Sequence, residues 1–195
     1  VTTWPSVNIT SVTVAWDRNT NPASVTQYVI ELSTVNGFGS GTTMSATTYS
    51  LNNTFTSLVP DTTYYSRVKA INHSGIETAY TDLGSTMTLK SPTPAGLVYT
   101  TATTTSLTAS WSGTIPAGDS YTLQLSTASD FTGTVSSSNT ALTNATLTGL
   151  SVNTTYYARV NSIINGSASL WSASVTSATL ADVPAVAATT WPSVR

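Results

Sequence analysis

The chain has 195 residues and a formal net charge of −2, and charged side chains make up only 7% of it. This balance excludes the basic surface that binds nucleic acids or anionic lipids, and no apolar run approaches the ~18 residues of a membrane span. We therefore expect no nucleic-acid partner and no membrane insertion. The absence of cysteine excludes disulfide scaffolds, thiol nucleophiles and zinc clusters built on thiolates. Because roughly a third of the residues are serine or threonine, hydroxyl groups rather than ions cover the predicted surface.

The predicted strands come in the same order in the two halves of the chain. Apolar residues alternate along residues 11–16 and again along 106–111, and both runs end in a tryptophan, Trp16 or Trp111. The next strands, 27–34 and 120–127, alternate in the same way. Because equivalent residues keep their order while the loops between them change length, this pattern indicates a true internal repeat.

The longest predicted strand follows in each half, as DTTYYSRVKAIN at 61–72 and NTTYYARVNSIIN at 153–165. Its period of two, with apolar groups on one side, is typical of a half-buried β-strand. Tyr64 and Tyr156 each have a ring to bury and a hydroxyl that needs a partner, which suits a sheet corner. We predict that both hydroxyls bond to backbone a few residues upstream, and that Trp16 and Trp111 are the central core residues.

The whole pattern predicts an all-β chain of two consecutive immunoglobulin-like, seven-stranded β-sandwiches, since no segment has the 3.6-residue apolar period of a helix. The predicted domains are 1–90 and 91–182, joined through the proline-bearing stretch LKSPTPAG at 89–96. Residues 183–195 are predicted to be a linker and the first-strand start of a truncated third repeat, because 189–194 repeat 2–7 letter for letter.

Both repeats resemble fibronectin type III domains nearly from end to end. The resemblance is carried by the two tryptophans and by the pattern L-x-P-x-T-x-Y-x-x-x-V-x-A. In the first repeat the pattern residues are Leu58, Pro60, Thr62, Tyr64, Val68 and Ala70. The second repeat keeps Leu150, Thr154, Tyr156 and Val160, with Val152 and Ser162 in place of the proline and the alanine. The chain is most similar to repeats of bacterial secreted or surface proteins, and this resemblance implies extracellular, non-catalytic modules.

The sequence contains no group of residues with the types and spacing of a catalytic site or a metal site. His73 is the single histidine, and the carboxylates are spread over different strands and loops. Asp17, Asn19 and Asn21 have the spacing that opens a calcium loop, but positions six and twelve of that loop are Pro22 and Tyr28 instead of glycine and glutamate. A polar turn is the better interpretation. We predict no catalytic residues, no metal site and no cofactor, and therefore no enzyme.

Two functions fit these observations. The first is a structural spacer, in which neighbouring repeats of the same chain are the partners. The alternative is an adhesion or binding module for a protein or glycan ligand, including accessory repeats of a secreted hydrolase. Its loop candidates are His73, Ser74, Asn165 and Trp171. A glycan platform further requires exposed rings, for which the candidates are Tyr65, Tyr80, Tyr157 and Trp171.

The C-terminal tail raises a question of assembly. Residues 184–194 carry a first-strand sequence without a following strand to pair with. The tail of one molecule could add to residues 1–7 of the next at high concentration, giving strand exchange. The alternative is a tail that is disordered or lies along the second sandwich. We expect a monomer in dilute solution, because the native N-terminal strand has the higher effective concentration.

Overall fold

The computed structural model describes residues 2–185, which contain strands and turns and no helix. The all-β prediction is therefore confirmed. None of the described residues lies in a helix long and apolar enough to cross a membrane. The chain divides into two compact units. One β-sandwich is formed by strands within residues 6–87, and the other by strands within residues 95–178.

Seven strands build the first sandwich as two antiparallel sheets. In chain order they are β1 (Ser6–Val7), β2 (Val12–Ala15), β3 (Gln27–Ser33), β4 (Thr43–Thr48), β5 (Asn52–Phe55), β6 (Thr63–Ile71) and β7 (Thr81–Met87). One sheet has the order β1-β2-β5, and the other has the order β4-β3-β6-β7. The register of β6 against β7 shifts between Tyr65 and Arg67, so a bulge interrupts this pair.

Alternate residues of the central strands point into the core of the first sandwich. Along β3 the buried positions are Tyr28, Ile30 and Leu32, whereas the residues between them are partly exposed. This is the period of two that the sequence predicts. From the opposite sheet Trp16 meets the ring of Tyr28 edge-on, with 5.7 Å between ring centroids. The tryptophan is 4% exposed and so belongs to the core.

The second sandwich repeats this arrangement, except that its last strand is split. Its strands are β8 (Ala95–Ala102), β9 (Ser106–Ser112), β10 (Ser120–Ser126), β11 (Val135–Thr140), β12 (Asn144–Thr148), β13 (Thr155–Ile164), β14 (Ser167–Ala168) and β15 (Val175–Ala178). One sheet has the order β12-β9-β8. The other has the order β11-β10-β13, and both β14 and β15 pair with β13. Trp111 contacts Tyr121 in this core as Trp16 contacts Tyr28 in the first.

Serine side chains explain the split of the last strand. Between β14 and β15 the hydroxyls of Ser169 and Ser172 accept hydrogen bonds from the backbone N–H groups of Ser162 and Val160. A hydroxyl that takes the place of a carbonyl satisfies the donor on β13 but breaks the regular ladder. Thr78 does the same for the N–H of Ala70 in the first sandwich.

The prediction for residues 183–195 lies mostly outside the described residues. Residues 183–185 have no regular secondary structure. The truncated third repeat and the strand exchange between molecules therefore remain predictions.

Candidate functional site

Each repeat has a buried tyrosine whose hydroxyl holds the chain that precedes its own strand. The Tyr64 hydroxyl accepts a hydrogen bond from the Val59 N–H at 3.0 Å. The Tyr156 hydroxyl accepts one from the Ser151 N–H, also at 3.0 Å. Both rings are buried in the core. This is the geometry of a tyrosine corner, in which the ring fills the core while the hydroxyl fixes the loop between two sheets.

A buried threonine completes each corner. The Thr88 hydroxyl accepts from the Thr62 N–H at 3.0 Å and donates to the Val59 carbonyl at 2.7 Å. Thr179 makes the equivalent bonds in the second repeat, to the Thr154 N–H at 3.0 Å and the Ser151 carbonyl at 2.6 Å. Both hydroxyls are therefore satisfied inside the protein, and each ties the end of its domain to the corner.

On the outer face of the β3–β6–β7 sheet, an arginine is stacked between two aromatic rings. The Arg67 guanidinium carbon lies 4.1 Å from the ring centroid of Phe38 and 3.9 Å from that of Tyr80. Its Nη2 lies 2.7 Å from the carboxylate of Glu31, which also accepts a hydrogen bond from the Tyr80 hydroxyl at 2.7 Å. Burial, followed by the hydrogen bond to Glu31, raises the pKa of Tyr80. We call Phe38, Arg67 and Tyr80 the first arginine stack.

The second repeat has the same stack with a neutral partner. The Arg159 guanidinium carbon lies 3.9 Å from the ring centroid of Phe131 and 4.4 Å from that of Trp171. Gln124 stands where Glu31 stands in the first repeat, and its side-chain oxygen accepts two hydrogen bonds from Arg159, at 3.0 and 2.9 Å. We call Phe131, Arg159 and Trp171 the second arginine stack. In both stacks the guanidinium covers part of the aromatic surface that a ligand would need.

The turn after β6 is held by one asparagine. The Asn72 side-chain oxygen accepts hydrogen bonds from the N–H groups of Ser74 and Ile76, both at 2.9 Å. Gly75 has a φ of 77°, a left-handed conformation that glycine adopts without strain. The turn leaves the side chains of His73 and Ile76 exposed to solvent. A cavity of about 270 Å³ lies between this turn and the loop after β2.

The turn between β13 and β14 has a structural explanation. Asn165 has a φ of 47° and Gly166 a φ of 79°. Two successive left-handed residues form the tight turn that matches the twist of a β-hairpin, and Asn-Gly is the preferred pair for it. The Asn165 N–H also donates to the carboxylate of Asp119 at 2.6 Å. The position of Asn165 thus follows from the turn without any ligand.

The model of the fibronectin type III domain matches residues 1–82 and 91–178. The chain belongs to the fibronectin type III family. A segment of two fibronectin type III domains from chicken tenascin is similar in structure, with a TM-score of 0.55 and 18% identity over 90% of this chain and 96% of that one. The FN1–FN3 domains of chicken CNTN1 match with a TM-score of 0.44 and 17% identity over 90% of this chain and 64% of that one. No curated protein matches the sequence significantly.

Within the fibronectin type III fold, the proposed binding residues divide into two kinds. His73 and Ser74 share the exposed turn after β6, where a ligand could reach them. Asn165 forms a hairpin turn, and Trp171 is stacked on Arg159. The rings proposed for a glycan platform are all partly buried, namely those of Tyr65, Tyr80, Tyr157 and Trp171. The rings of Tyr80 and Trp171 are also covered by arginine, which argues against a platform of freely exposed aromatics.

The two arginine stacks were not predicted from the sequence. Phe38 and Phe131 follow their LST motifs at the same distance, and Arg67 and Arg159 recur on the outward face of the corner strand. These regularities could have identified the set, because residues that recur in both repeats at the same element are candidates for one structural unit. The buried threonines of the corners, Thr88 and Thr179, recur in the same way. In a chain so rich in threonine, however, these two residues cannot be distinguished in the sequence from the many other threonines.

Proposed function

We propose that the chain supplies consecutive, non-catalytic modules to a larger extracellular protein, in which they act as a structural spacer. One observation carries the proposal: the tyrosine corner, its buried threonine and the arginine stack occur at equivalent places in both repeats. Their polar groups bond within the same repeat. The recurrence of these contacts is expected when the framework rather than one site is the functional feature.

The spacer function can be tested by changing the number of repeats. Proteins with one, two and four copies of the pair would be compared by small-angle X-ray scattering. If the modules act as spacers, each added copy should increase the maximum dimension of the protein by the same length. A maximum dimension that stops growing with copy number would contradict the proposal.

A second candidate function, adhesion to a protein ligand, is favoured by the turn after β6. Ile76 is 67% exposed there, beside His73 and the cavity of about 270 Å³. An apolar side chain held at the tip of a rigid turn is suited to insertion into a partner surface. Under this proposal Ile76→Ser should reduce adhesion of coated beads to cells at least about tenfold. Leu170→Ser, at a residue that is 72% exposed in the second repeat, is the matched control. Equal adhesion by both variants would exclude this turn as the contact.

A further inference from the structure

The dipeptide Asn-Gly, which readily loses the side-chain amide of its asparagine, occurs twice in the chain. Asn36-Gly37 lies in the loop after β3, and Asn165-Gly166 forms the turn between β13 and β14. In this reaction the backbone nitrogen of the glycine attacks the side-chain carbonyl carbon of the asparagine and closes a five-membered ring. Glycine favours the attack because it has no side chain to shield its nitrogen. The two sites therefore share one chemistry and differ in their surroundings.

The loop after β3 holds Asn36 and Gly37 by a single hydrogen bond. They are the central residues of a turn in which the Phe38 N–H donates to the Val35 carbonyl at 3.0 Å. Both are exposed to solvent, and a Cβ atom added at Gly37 would meet nothing within 4 Å. Among residues 2–185, neither the Asn36 side chain nor the Gly37 N–H has a hydrogen-bond partner. The peptide between the two residues can therefore rotate without breaking other contacts.

The hairpin turn holds Asn165 and Gly166 more firmly. A ladder pair lies directly beside them, with Ile164 opposite Ser167. Both turn residues have left-handed φ values, and the Asn165 N–H donates to Asp119. Ring closure requires that the reacting atoms come within about 3–3.5 Å in a suitable orientation. The rotation that brings them together here would disturb the adjoining ladder.

We propose that Asn36 is a site of spontaneous covalent modification, with water as the co-reactant. The Gly37 nitrogen forms a bond to Cγ of Asn36, the bond from Cγ to the side-chain nitrogen breaks, and that nitrogen leaves as ammonia with the proton of the Gly37 N–H. Water then opens the ring. Opening at Cγ gives aspartate, whereas opening at the main-chain carbonyl gives isoaspartate, in which the backbone runs through the side chain and is one atom longer.

This modification acts on the first arginine stack, because Phe38 follows directly after Gly37. Phe38 has a φ of 49°, which is uncommon for a bulky residue, so the place of its ring depends on the geometry of the turn. Isoaspartate at position 36 adds one backbone atom between Val35 and Phe38 and disrupts the hydrogen bond that closes the turn. The Phe38 ring, which lies 4.1 Å from the guanidinium of Arg67, should then move away from it.

A carboxylate in this turn is compatible with the fold. The equivalent turn of the second repeat is closed by the Phe131 N–H, which donates to the Ala128 carbonyl at 3.0 Å. Asp130 is a central residue of that turn and accepts hydrogen bonds from the N–H and the hydroxyl of Thr132. The Phe131 ring nevertheless stacks on Arg159. The longer backbone of isoaspartate, rather than the new charge, is therefore the change expected to disturb the stack.

The test is incubation of the native chain in mildly alkaline buffer, followed by mass spectrometry of tryptic peptides. Cleavage after Arg18, Arg67 and Arg159 places the two sites in separate peptides, 19–67 and 160–195. Electron-transfer fragmentation locates the modified residue and distinguishes isoaspartate from aspartate, and a sample digested without incubation gives the background. Asn36 should convert at least about tenfold faster than Asn165, which corresponds to ~1.4 kcal/mol in activation free energy. In denaturing urea the two rates should be similar, because the hairpin is lost.

Two variants separate the ring closure from its effect on the stack. Gly37→Ala should slow the conversion of Asn36 at least about tenfold, because the methyl group shields the attacking nitrogen. The fold should tolerate this change, since the added group meets open space. Asn36→Asp supplies the carboxylate with a normal backbone. In ¹⁵N NMR the Nε–H signal of Arg67, which donates to Glu31 at 2.7 Å, should move further in the incubated chain than in Asn36→Asp.

Several results would overturn the proposal. Conversion of Asn165 in the native chain as fast as that of Asn36 would remove the selectivity. No conversion of Asn36 over a time in which it converts in urea would mean that the turn protects it. A preference for Asn36 that persists in urea would assign the selectivity to neighbouring residues, and an unchanged rate in Gly37→Ala would exclude the ring. An equal shift of the Arg67 signal in Asn36→Asp would contradict the effect on the stack.

Discussion

At the scale of single residues, the two tyrosine corners show how one hydroxyl can fix a long loop. The rings of Tyr64 and Tyr156 would be equally well buried as phenylalanine, so the hydroxyl itself is the informative group. In each repeat it satisfies a backbone N–H that lies five residues upstream, outside any strand. The buried threonine beside it bonds to the carbonyl of the same residue. The loop is thus held by both its donor and its acceptor.

We predict that Tyr64→Phe and Tyr156→Phe each lower the free energy of unfolding by roughly 1–2 kcal/mol, because each leaves a backbone N–H without its partner. Chemical denaturation of the variants would measure the change. Tyr65→Phe, on the outward face of the same strand, is the control and should stay within about 0.5 kcal/mol of wild type. A corner variant with the stability of that control would contradict the assigned role.

Substitution of the core tryptophans should lower the free energy of unfolding more than substitution of the corner tyrosines. Trp16→Ala or Trp111→Ala should cost about 3–5 kcal/mol, since each removes a large buried ring and leaves a cavity. Thermal unfolding followed by calorimetry would show the loss as a lower midpoint for the affected repeat. An unchanged midpoint in either variant would mean that the ring is not central to its core.

At the scale of elements, the two arginine stacks provide a matched comparison of an ion pair with a neutral hydrogen bond. Each stack joins the strand that carries the arginine to the loop after its neighbour in the sheet, β3 or β10, and to the segment that follows the arginine strand. The aromatic contacts are equivalent in the two repeats. The difference is the partner of the guanidinium, which is Glu31 in one stack and Gln124 in the other. Salt should therefore distinguish them.

Arg67→Ala and Arg159→Ala should each cost roughly 1–2 kcal/mol at low ionic strength. In about 1 M NaCl, where the screening length falls to about 3 Å, the cost of Arg67→Ala should drop by about 0.5 kcal/mol. The cost of Arg159→Ala should stay the same, because its partner is uncharged. Urea denaturation at both salt concentrations provides the measurement. An identical salt dependence would show that stacking on the rings dominates both sites.

The elements also show how far the sequence could predict this structure. The strands, their order and the core faces follow from the alternation of residues, because a half-buried strand must alternate. The split of the last strand into β14 and β15 was not predicted, since it depends on Ser169 and Ser172 facing the N–H groups of β13. The arginine stacks depend in the same way on which residues of separate strands become neighbours. Register is a tertiary property that periodicity does not contain.

At the scale of the whole molecule, the chain combines two well-packed sandwiches with very little charge. Its response to alkali should therefore come from buried tyrosines rather than from rearranged ion pairs. Tyr99 is the clearest case, because its ring is partly buried and its hydroxyl donates to the Tyr156 carbonyl at 3.2 Å. Burial raises the pKa of Tyr99 to about 12. An unfolded tyrosine titrates near 10.

This raised pKa predicts a loss of stability in one range of pH. Below about pH 10 the phenol is neutral in both states, and its contribution is fully present. Between about pH 10 and pH 12 the unfolded state ionises first, so the stability of the second repeat should fall. Denaturation at about pH 9 and pH 11.5, followed through the methyl signals of Leu123, would measure the change. Tyr99→Phe should make the fall shallower, and an identical slope in the variant would contradict the prediction.

The arrangement of titratable groups has a further consequence for the conditions that the protein can tolerate. Histidine is the one side-chain type that ordinarily titrates between pH 5 and 8, and the chain has a single histidine, which stands in an exposed turn. Where the pKa values of Lys69 and Tyr80 are displaced, they move upward, away from neutrality. Because the chain has so few charged side chains, acidification of the surroundings from neutral to about pH 5 should change the charge of the molecule only slightly. Such a chain would keep its folding free energy almost constant across surroundings that differ in acidity.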